Sequence, residues 1–230
     1  MKRALGVVTG ASYAFALGSV IYLLAEAIAA AGYPGYSYFT QVISVLGVYP
    51  GMLVHGHVSP SKLAVVMNVG FFVTGALFVI GHLGAMHQHL RRRWANAVGL
   101  MAVLFAAGIS LVGAVQGGQP TAGGWHSLGA ALAIFGGNTA LVLTGLGLKT
   151  PDARWFRIGC VTLGLLGILS ALGLLVIFET PYPDLGATAE RLSVYTIIAG
   201  STWASVFLVR ARARPRPQDP QLLIASSAAA

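Results

Sequence analysis

Three histidines are the residues of this sequence whose types and spacing best suit a metal site. His55 and His57 are separated by one residue, and His126 lies much further along the chain, in GGWHSLGA (123–130). Imidazole nitrogens and carboxylate oxygens are common zinc ligands in proteins. One interpretation is therefore a zinc site built from His55, His57 and His126, as a zinc-dependent membrane hydrolase would need. The His-x-His spacing is its only motif, because the chain has no His-Glu-x-x-His pattern.

Arg191 and two serines permit a second chemistry. The forked donor geometry of a guanidinium suits phosphate and carboxylate groups, so Arg191 with His126 could hold the anionic group of a lipid. With His126 as general base, Ser44 or Ser127 would be the nucleophile of an acyl or phosphoryl transferase. We therefore take His126 and Ser44 as candidate catalytic residues, and whether the protein is an enzyme stays open.

Further polar residues accompany Arg191 as candidate ligand contacts. They are Tyr36, Ser37, Gln41, Glu26 and Glu190. The alternative role is structural, in which Glu26, Glu190 and Arg191 form ion pairs that fix helix ends. The sequence alone does not choose between a ligand-binding and a structural role for these charges.

The elements that position these residues are long apolar runs. Of the 230 residues, 56% are hydrophobic and 9% are charged, and the mean hydropathy is +0.77, whereas soluble domains carry about 25% charged residues. A helix needs about 20 apolar residues to cross a hydrocarbon core. Six such runs occur, at about 4–31, 63–88, 95–115, 127–148, 158–178 and 192–209. We predict an all-α polytopic membrane protein, with six transmembrane helices in one bundle over 1–209 and a disordered cytoplasmic tail over 210–230.

The cations mark one side of the membrane. When the six runs alternate in direction, twelve of the fourteen lysines and arginines fall on one side: Lys2, Arg3, Arg91, Arg92, Arg93, Lys149, Arg154, Arg157, Arg210, Arg212, Arg214 and Arg216. Lys62 and Arg191 fall on the other. The positive-inside rule then predicts cytoplasmic N- and C-termini in the cell membrane. The net charge of +8 reflects topology rather than a nucleic-acid partner, and membrane lipids are the expected partners, with the oligomeric state left open. The first run exceeds the roughly 7–15 apolar residues of a signal peptide, so we predict that it is retained.

The segment 32–60 has no charged residue although it connects two spans. Placed on a helix near residues 36–47, its polar side chains share one face and its apolar side chains the other. The polar ones are Ser37, Thr40, Gln41 and Ser44. Twelve residues are too few to span a bilayer. We therefore predict a short interfacial or re-entrant helix here that forms the wall or lid of an extracytoplasmic pocket.

His82 lies inside the second run, and an ionisable residue within a span is a candidate for function. A small transporter or channel subunit would need a polar path from the outer residues to His82. Haem is not expected, because paired axial ligands come from different helices at equal depth, whereas His82, His87 and His89 share one helix. The single cysteine, Cys160, excludes an intramolecular disulfide.

Three segments of the chain resemble a known family. They are YSYFTQVISVLG (36–47), His126 opening the fourth run, and ERLSVY (190–195) opening the sixth. Over most of residues 5–210 the chain is similar to bacterial and archaeal six-helix membrane proteins grouped as domain of unknown function 998. The family pattern looks like Y-S-x-x-x-x-x-I-S-D-L-G, which is matched here by Tyr36, Ser37, Ile43, Ser44, Leu46 and Gly47, while Val45 stands where that pattern has Asp. The resemblance implies a six-helix fold and brings no assigned reaction. More distantly, the chain looks like Frag/DRAM-type membrane proteins, some of which are linked to lipid remodelling or autophagy.

These observations favour a membrane protein that recognises a lipid or amphipathic ligand in an extracytoplasmic-facing pocket, with modification or transport of that ligand left open. Arg191 would hold the anionic group, His126 would act as donor or base, and Ser44 and Gln41 would line the wall. The alternatives from other classes are a transporter or channel subunit and a non-catalytic membrane scaffold.

Overall fold

The computed structural model describes residues 2–54, 57–117, 122, 124–177 and 184–213. Its long helices are α1 (Lys2–Ala31), α2 (Ala64–Gly81), α3 (Arg92–Ala114), α4 (Trp125–Gly147), α5 (Arg154–Ile177) and α6 (Asp184–Ala213). Each of these six, α2 with its continuation to His89, contains a stretch long and apolar enough to cross a membrane. The predicted all-α bundle with six spans is confirmed over the part of the chain that the structure describes.

The helices form a ring in which neighbours in sequence are neighbours in space. Each helix packs on the next, from α1 to α6, and α6 returns to pack on α1. In hydrocarbon every backbone polar group must be hydrogen-bonded within the protein, and a helix satisfies this requirement by itself. The arrangement of the helices is therefore set by how their side chains pack. α4 also contacts α6, and α5 is the least buried of the six spans. One broad face of α5 is therefore left to the surroundings.

Small residues bring α3 and α4 into backbone contact. A Cβ atom added to Gly108 would lie 2.5 Å from the carbonyl oxygen of Gly129, and one added to Gly136 would lie 2.9 Å from the backbone nitrogen of Phe105. In lipid no hydrophobic force drives helices together, so they associate through close backbone packing at small residues such as glycine and alanine. The small residues of α4 are thus a packing face.

The end of the bundle that holds the start of α2 and the end of α1 is called the distal end here, and residues 32–63 are called the distal segment. It contains turns, a 3-10 helix (Ile43–Gly47) and a hairpin of β1 (Leu53–Val54) and β2 (His57–Val58). Side chains of α2 and of the residues just before it hold the 3-10 helix in place. Ser61 Oγ donates to the Leu46 carbonyl at 2.7 Å, and Asn68 Nδ2 donates to the Gly47 carbonyl at 2.9 Å.

The helix predicted near 36–47 is observed only as the 3-10 helix at its C-terminal end, and the preceding residues form turns. Local side chains explain the difference. Ser37 Oγ accepts from the backbone nitrogens of Phe39 and Thr40 at 3.3 Å, and Gln41 Oε1 accepts from the backbone nitrogen of Ser37 at 2.7 Å. Short polar side chains that bond to nearby backbone compete with helix formation. Ser37 and Gln41, which the sequence predicts on the polar face of a helix, therefore hydrogen-bond to the backbone of nearby residues instead.

The opposite end of the bundle joins two connections by backbone pairing. The Arg91 nitrogen donates to the Gly147 carbonyl, and the Lys149 nitrogen donates to the His89 carbonyl, each at 3.0 Å. This end carries the described part of the predicted basic surface. Which side of the membrane it faces remains a prediction from charge.

Candidate functional site

Arg191 is the centre of a buried polar cluster at the distal end, made of Glu26, Tyr36, Gln41, Arg191 and Tyr195 and called the arginine cluster here. The Arg191 side chain is 8% exposed and the Glu26 side chain 1%. Arg191 Nε lies 3.5 Å from Glu26 Oε1, and Arg191 Nη1 donates to the Gln41 carbonyl at 2.6 Å. Arg191 Nη2 donates to the Tyr36 hydroxyl, and Tyr195 donates to Glu26 Oε2 at 3.0 Å. The cluster ties α6 to α1 and to the distal segment.

Two aromatic rings complete the enclosure of the guanidinium. The Cζ atom of Arg191 lies 5.5 Å from the ring centroid of Tyr36 and 5.1 Å from that of Tyr38, within the range of cation–π attraction. Burial raises the pKa of the Tyr36 phenol above its usual value, although the nearby Arg191 charge opposes that shift. Tyr36 is therefore neutral at physiological pH, and its hydroxyl donates to the Val42 carbonyl at 3.3 Å while it accepts from Arg191.

A cavity of about 370 Å³, called the outer cavity here, lies beside this cluster, between α4, α5, the start of α6 and the 3-10 helix. Most of the described lining is apolar, and among the described residues four side chains contribute polar groups: Ser44, His126, Ser127 and Glu190. Ser127 and Leu175 are exposed and mark its mouth, whereas Ile134 and Ala171 are buried at its base. The outer cavity is thus an apolar space with a few polar groups in its wall.

A second, narrower space of about 50 Å³ continues from it toward the bundle centre. Five residues line both spaces: Ser44, His126, Ala130, Ile134 and Glu190. They form the neck between the two. The inner space then reaches Tyr22, Phe71 and Phe105. Glu190 and His126 therefore lie where an apolar group that entered the outer cavity would meet polar atoms.

The hydrogen bond of His126 indicates which of its nitrogens faces a ligand. His126 Nδ1 lies 2.7 Å from the Val115 carbonyl. A carbonyl can only accept, so Nδ1 carries the hydrogen, and in the neutral ring Nε2 is left as an acceptor. Gly117 in the cavity wall makes room for this edge, because a Cβ there would lie 3.0 Å from Cδ2 and 3.1 Å from Nε2. His126 can therefore accept a hydrogen bond at Nε2.

Glu190 turns the other way from its neighbour Arg191. Its Oε2 accepts from the backbone nitrogen of Ile43 at 2.5 Å, so α6 also holds the 3-10 helix through this residue. Its side chain lines both the outer cavity and the inner space. No described lysine or arginine forms an ion pair with it, because the guanidinium of Arg191 pairs with Glu26. Among the described residues that line the outer cavity, Glu190 is the one acid.

The structure separates the predicted site residues into two groups. Ser44, His126 and Glu190 meet at the neck, whereas Arg191, Glu26, Tyr36 and Gln41 belong to the arginine cluster. Ser37 caps the turn of its own segment. The predicted ion pair between Arg191 and Glu26 is present, and Glu190 takes no part in it. Ser44 and His126 share the cavity wall without a hydrogen bond between them, so their predicted catalytic pairing stays a prediction.

The predicted zinc ligands are only partly described. His57 is exposed in β2, His126 lines the neck, and His55 lies outside the described residues. Among described residues no group of three or more His, Cys, Asp or Glu side chains is close enough to hold a metal ion. The set His55, His57 and His126 remains a prediction.

His82 packs among aromatic rings away from both spaces. Its Nδ1 bonds to the Phe78 carbonyl at 3.0 Å, and the centroids of its ring and the Phe78 ring are 4.3 Å apart. The ring centroids of Phe78 and Phe105 are 4.4 Å apart, and Phe105 lines the inner space. Phe78 and Phe105 also line a further small space with the hydroxyl residues Ser19, Thr74 and Ser201. The transporter alternative stays a prediction.

Sequence reasoning missed the apolar half of the site and the role of Tyr195. Ser127, Ala130, Ala131 and Ile134 recur on α4 at steps of three and four residues, a spacing that puts them on one helical face. That signal is readable in the sequence. It does not reveal that the face borders a cavity, because a packed face of an apolar helix has the same pattern.

The comparisons place the chain without assigning it an activity. The family described as "Protein of unknown function (DUF998)" matches residues 16–210, which is most of the chain. No curated protein matches the sequence, and no solved structure does.

Proposed function

We propose that this chain, which belongs to the DUF998 family, is a membrane protein that binds an amphipathic ligand in the outer cavity. The observation that carries the proposal is the make-up of the cavity wall. Aliphatic and aromatic residues of α4, α5 and the distal segment form most of it, and the polar atoms of His126 and Glu190 are concentrated at the neck. Such a wall suits a molecule with an apolar body and one polar end.

The size and position of the cavity support this proposal. Its volume of about 370 Å³ falls in the range of roughly 300–1,000 Å³ that small-molecule sites occupy. Its mouth lies beside Ala131 and Leu175, which are exposed on the outer surfaces of α4 and α5. In a six-span bundle these surfaces face the acyl chains, so a ligand would enter sideways from the bilayer.

The test fills the cavity. In Ala131→Trp an indole replaces a methyl group at the mouth, and it should exclude the ligand without disturbing a buried helix contact. Ala107→Trp on α3 is the matched control, because Ala107 is also exposed and lines neither space. Native mass spectrometry of the detergent-solubilised protein would count retained lipids and added dodecyl amphiphiles.

We expect the wild type and Ala107→Trp to retain an amphiphile, and Ala131→Trp to lose at least about nine-tenths of it, a tenfold drop in affinity being about 1.4 kcal/mol. Equal retention by all three proteins would contradict the proposal, and so would the absence of any bound amphiphile from the wild type.

A further inference from the structure

We propose that the polar end of the ligand is a protonated amine, held by the Glu190 carboxylate with Nε2 of His126 as a second acceptor. This inference rests on the proposed binding of an amphipathic ligand and adds the chemistry of its head group. It differs from the expectation drawn from sequence, in which Arg191 holds an anion.

The polar atoms at the neck are mainly acceptors. An ionised carboxylate only accepts hydrogen bonds. The Glu190 side chain accepts from the backbone nitrogen of Ile43 on Oε2 at 2.5 Å, and the backbone nitrogen of Ser44 also bonds to it. His126 uses its Nδ1 hydrogen on Val115 and leaves Nε2 as an acceptor. Ser44 and Ser127 are hydroxyls that serve either role. A head group that donates several hydrogen bonds satisfies this set, and an ammonium group donates three.

The charges near the neck also favour a cation. Arg191 and Glu26 compensate each other inside the arginine cluster, 3.5 Å apart. The donors of Arg191 are directed to Gln41 and Tyr36, which do not line the outer cavity. Among the described residues Glu190 forms no ion pair within 4 Å, and the Arg191 charge acts on it only from a greater distance. A carboxylate in a mostly apolar wall is stabilised by a close cationic partner, so a cationic head group stabilises this arrangement and an anionic one would be repelled.

The experiment compares three head groups on one tail. Dodecylamine, dodecanol and dodecanoate would be added singly at equal concentration, and native mass spectrometry would measure the bound fraction of each. At neutral pH an alkylamine is charged, as a lysine side chain is. Glu190→Gln removes the charge yet keeps a side-chain oxygen for the Ile43 nitrogen. Asp152→Asn is the control for the loss of one negative charge, because Asp152 is exposed at the opposite end of the bundle and lines neither space.

We expect wild-type protein to bind dodecylamine at least about tenfold more tightly than dodecanoate, as a close charge pair away from water permits. Glu190→Gln should lose that preference and keep its affinity for dodecanol, whereas Asp152→Asn should keep both. Equal binding of the three heads, or tighter binding of dodecanoate, overturns the amine assignment and leaves amphiphile binding standing. If wild-type protein binds none of the three, the proposed function itself fails. Should Glu190→Gln not fold, the comparison of heads on the wild type decides alone.

Discussion

Glu190 and Arg191 are adjacent in the chain and serve different sites. Successive side chains on a helix with 3.6 residues per turn are about 100° apart, so neighbours do not face the same surroundings. Arg191 faces α1 and the turn before the 3-10 helix, where it pairs with Glu26 and donates a hydrogen bond to the Gln41 carbonyl. Glu190 faces the outer cavity. One dipeptide thereby fixes the distal segment and supplies the charge of the cavity.

Tyr36 gives a prediction at the scale of one residue. Burial raises its pKa above the usual 10.0, with a smaller opposing effect from the Arg191 charge. Because the folded-state pKa exceeds the unfolded one, the stability that the neutral phenol contributes is complete below the unfolded pKa. It is lost as the pH rises from there through the folded pKa. The melting temperature in detergent should therefore begin to fall near pH 10 and continue to fall as the pH rises further.

The same measurement on Tyr36→Phe isolates this group from the other tyrosines. Phenylalanine cannot ionise, so the fall in melting temperature over that pH range should be shallower than in the wild type, even though the variant starts lower at neutral pH for want of its bonds to Arg191 and Val42. Parallel curves for the two proteins would show that Tyr36 ionises alike in the folded and unfolded chain.

At the scale of elements, the contact of α3 with α4 depends on glycine. A methyl group at Gly108 would meet the Gly129 carbonyl at 2.5 Å and the Leu132 Cβ at 2.8 Å, so the helices would have to separate. We expect Gly108→Ala to destabilise the bundle by about 1–3 kcal/mol, the usual cost of overpacking. The measurement is the melting temperature in detergent.

Gly173 in α5 is the control for that substitution, because nothing lies within 4 Å of an added Cβ. There alanine should stabilise the helix by up to about 1 kcal/mol through its better helix propensity. If both substitutions shift the melting temperature in the same direction and by similar amounts, the contact between α3 and α4 does not depend on the glycine at residue 108.

Element boundaries also show where sequence reasoning stops. The sixth apolar run starts at about residue 192 and the sequence places Glu190 and Arg191 at the opening of its helix, yet α6 begins earlier, at Asp184. Glu190 and Arg191 are accommodated in the helix because the protein satisfies them: one accepts from Ile43 and the other pairs with Glu26. In the distal segment the periodicity predicted a longer helix than the 3-10 turn observed, because Ser37 and Gln41 bind their own backbone.

At the scale of the whole molecule, the orientation in the membrane is the open prediction. Phe39 is 79% exposed in the distal segment, and Asp152 is exposed in the connection between α4 and α5 at the other end. In a Cys160→Ala background, which removes the buried native thiol, Phe39→Cys should react with a membrane-impermeant maleimide in intact cells. Asp152→Cys should react only after the membrane is opened, since the positive-inside rule puts it in the cytoplasm.

The two cysteines control each other, because each reports on one face of the same bundle. Labelling of Asp152→Cys in intact cells together with protection of Phe39→Cys would invert the predicted topology. The outer cavity would then open on the cytoplasmic half of the membrane.

The sequence by itself determined the class of protein, its six spans and its family. Those properties depend on local composition, because about 20 consecutive apolar residues suffice to cross hydrocarbon as a helix whatever its neighbours are. The tertiary structure alone decided how each helix is rotated. A helix that is apolar all round carries no signal for the direction of its polar residues, so the sequence could not show that Arg191 pairs inside the bundle while Glu190 and His126 face a cavity.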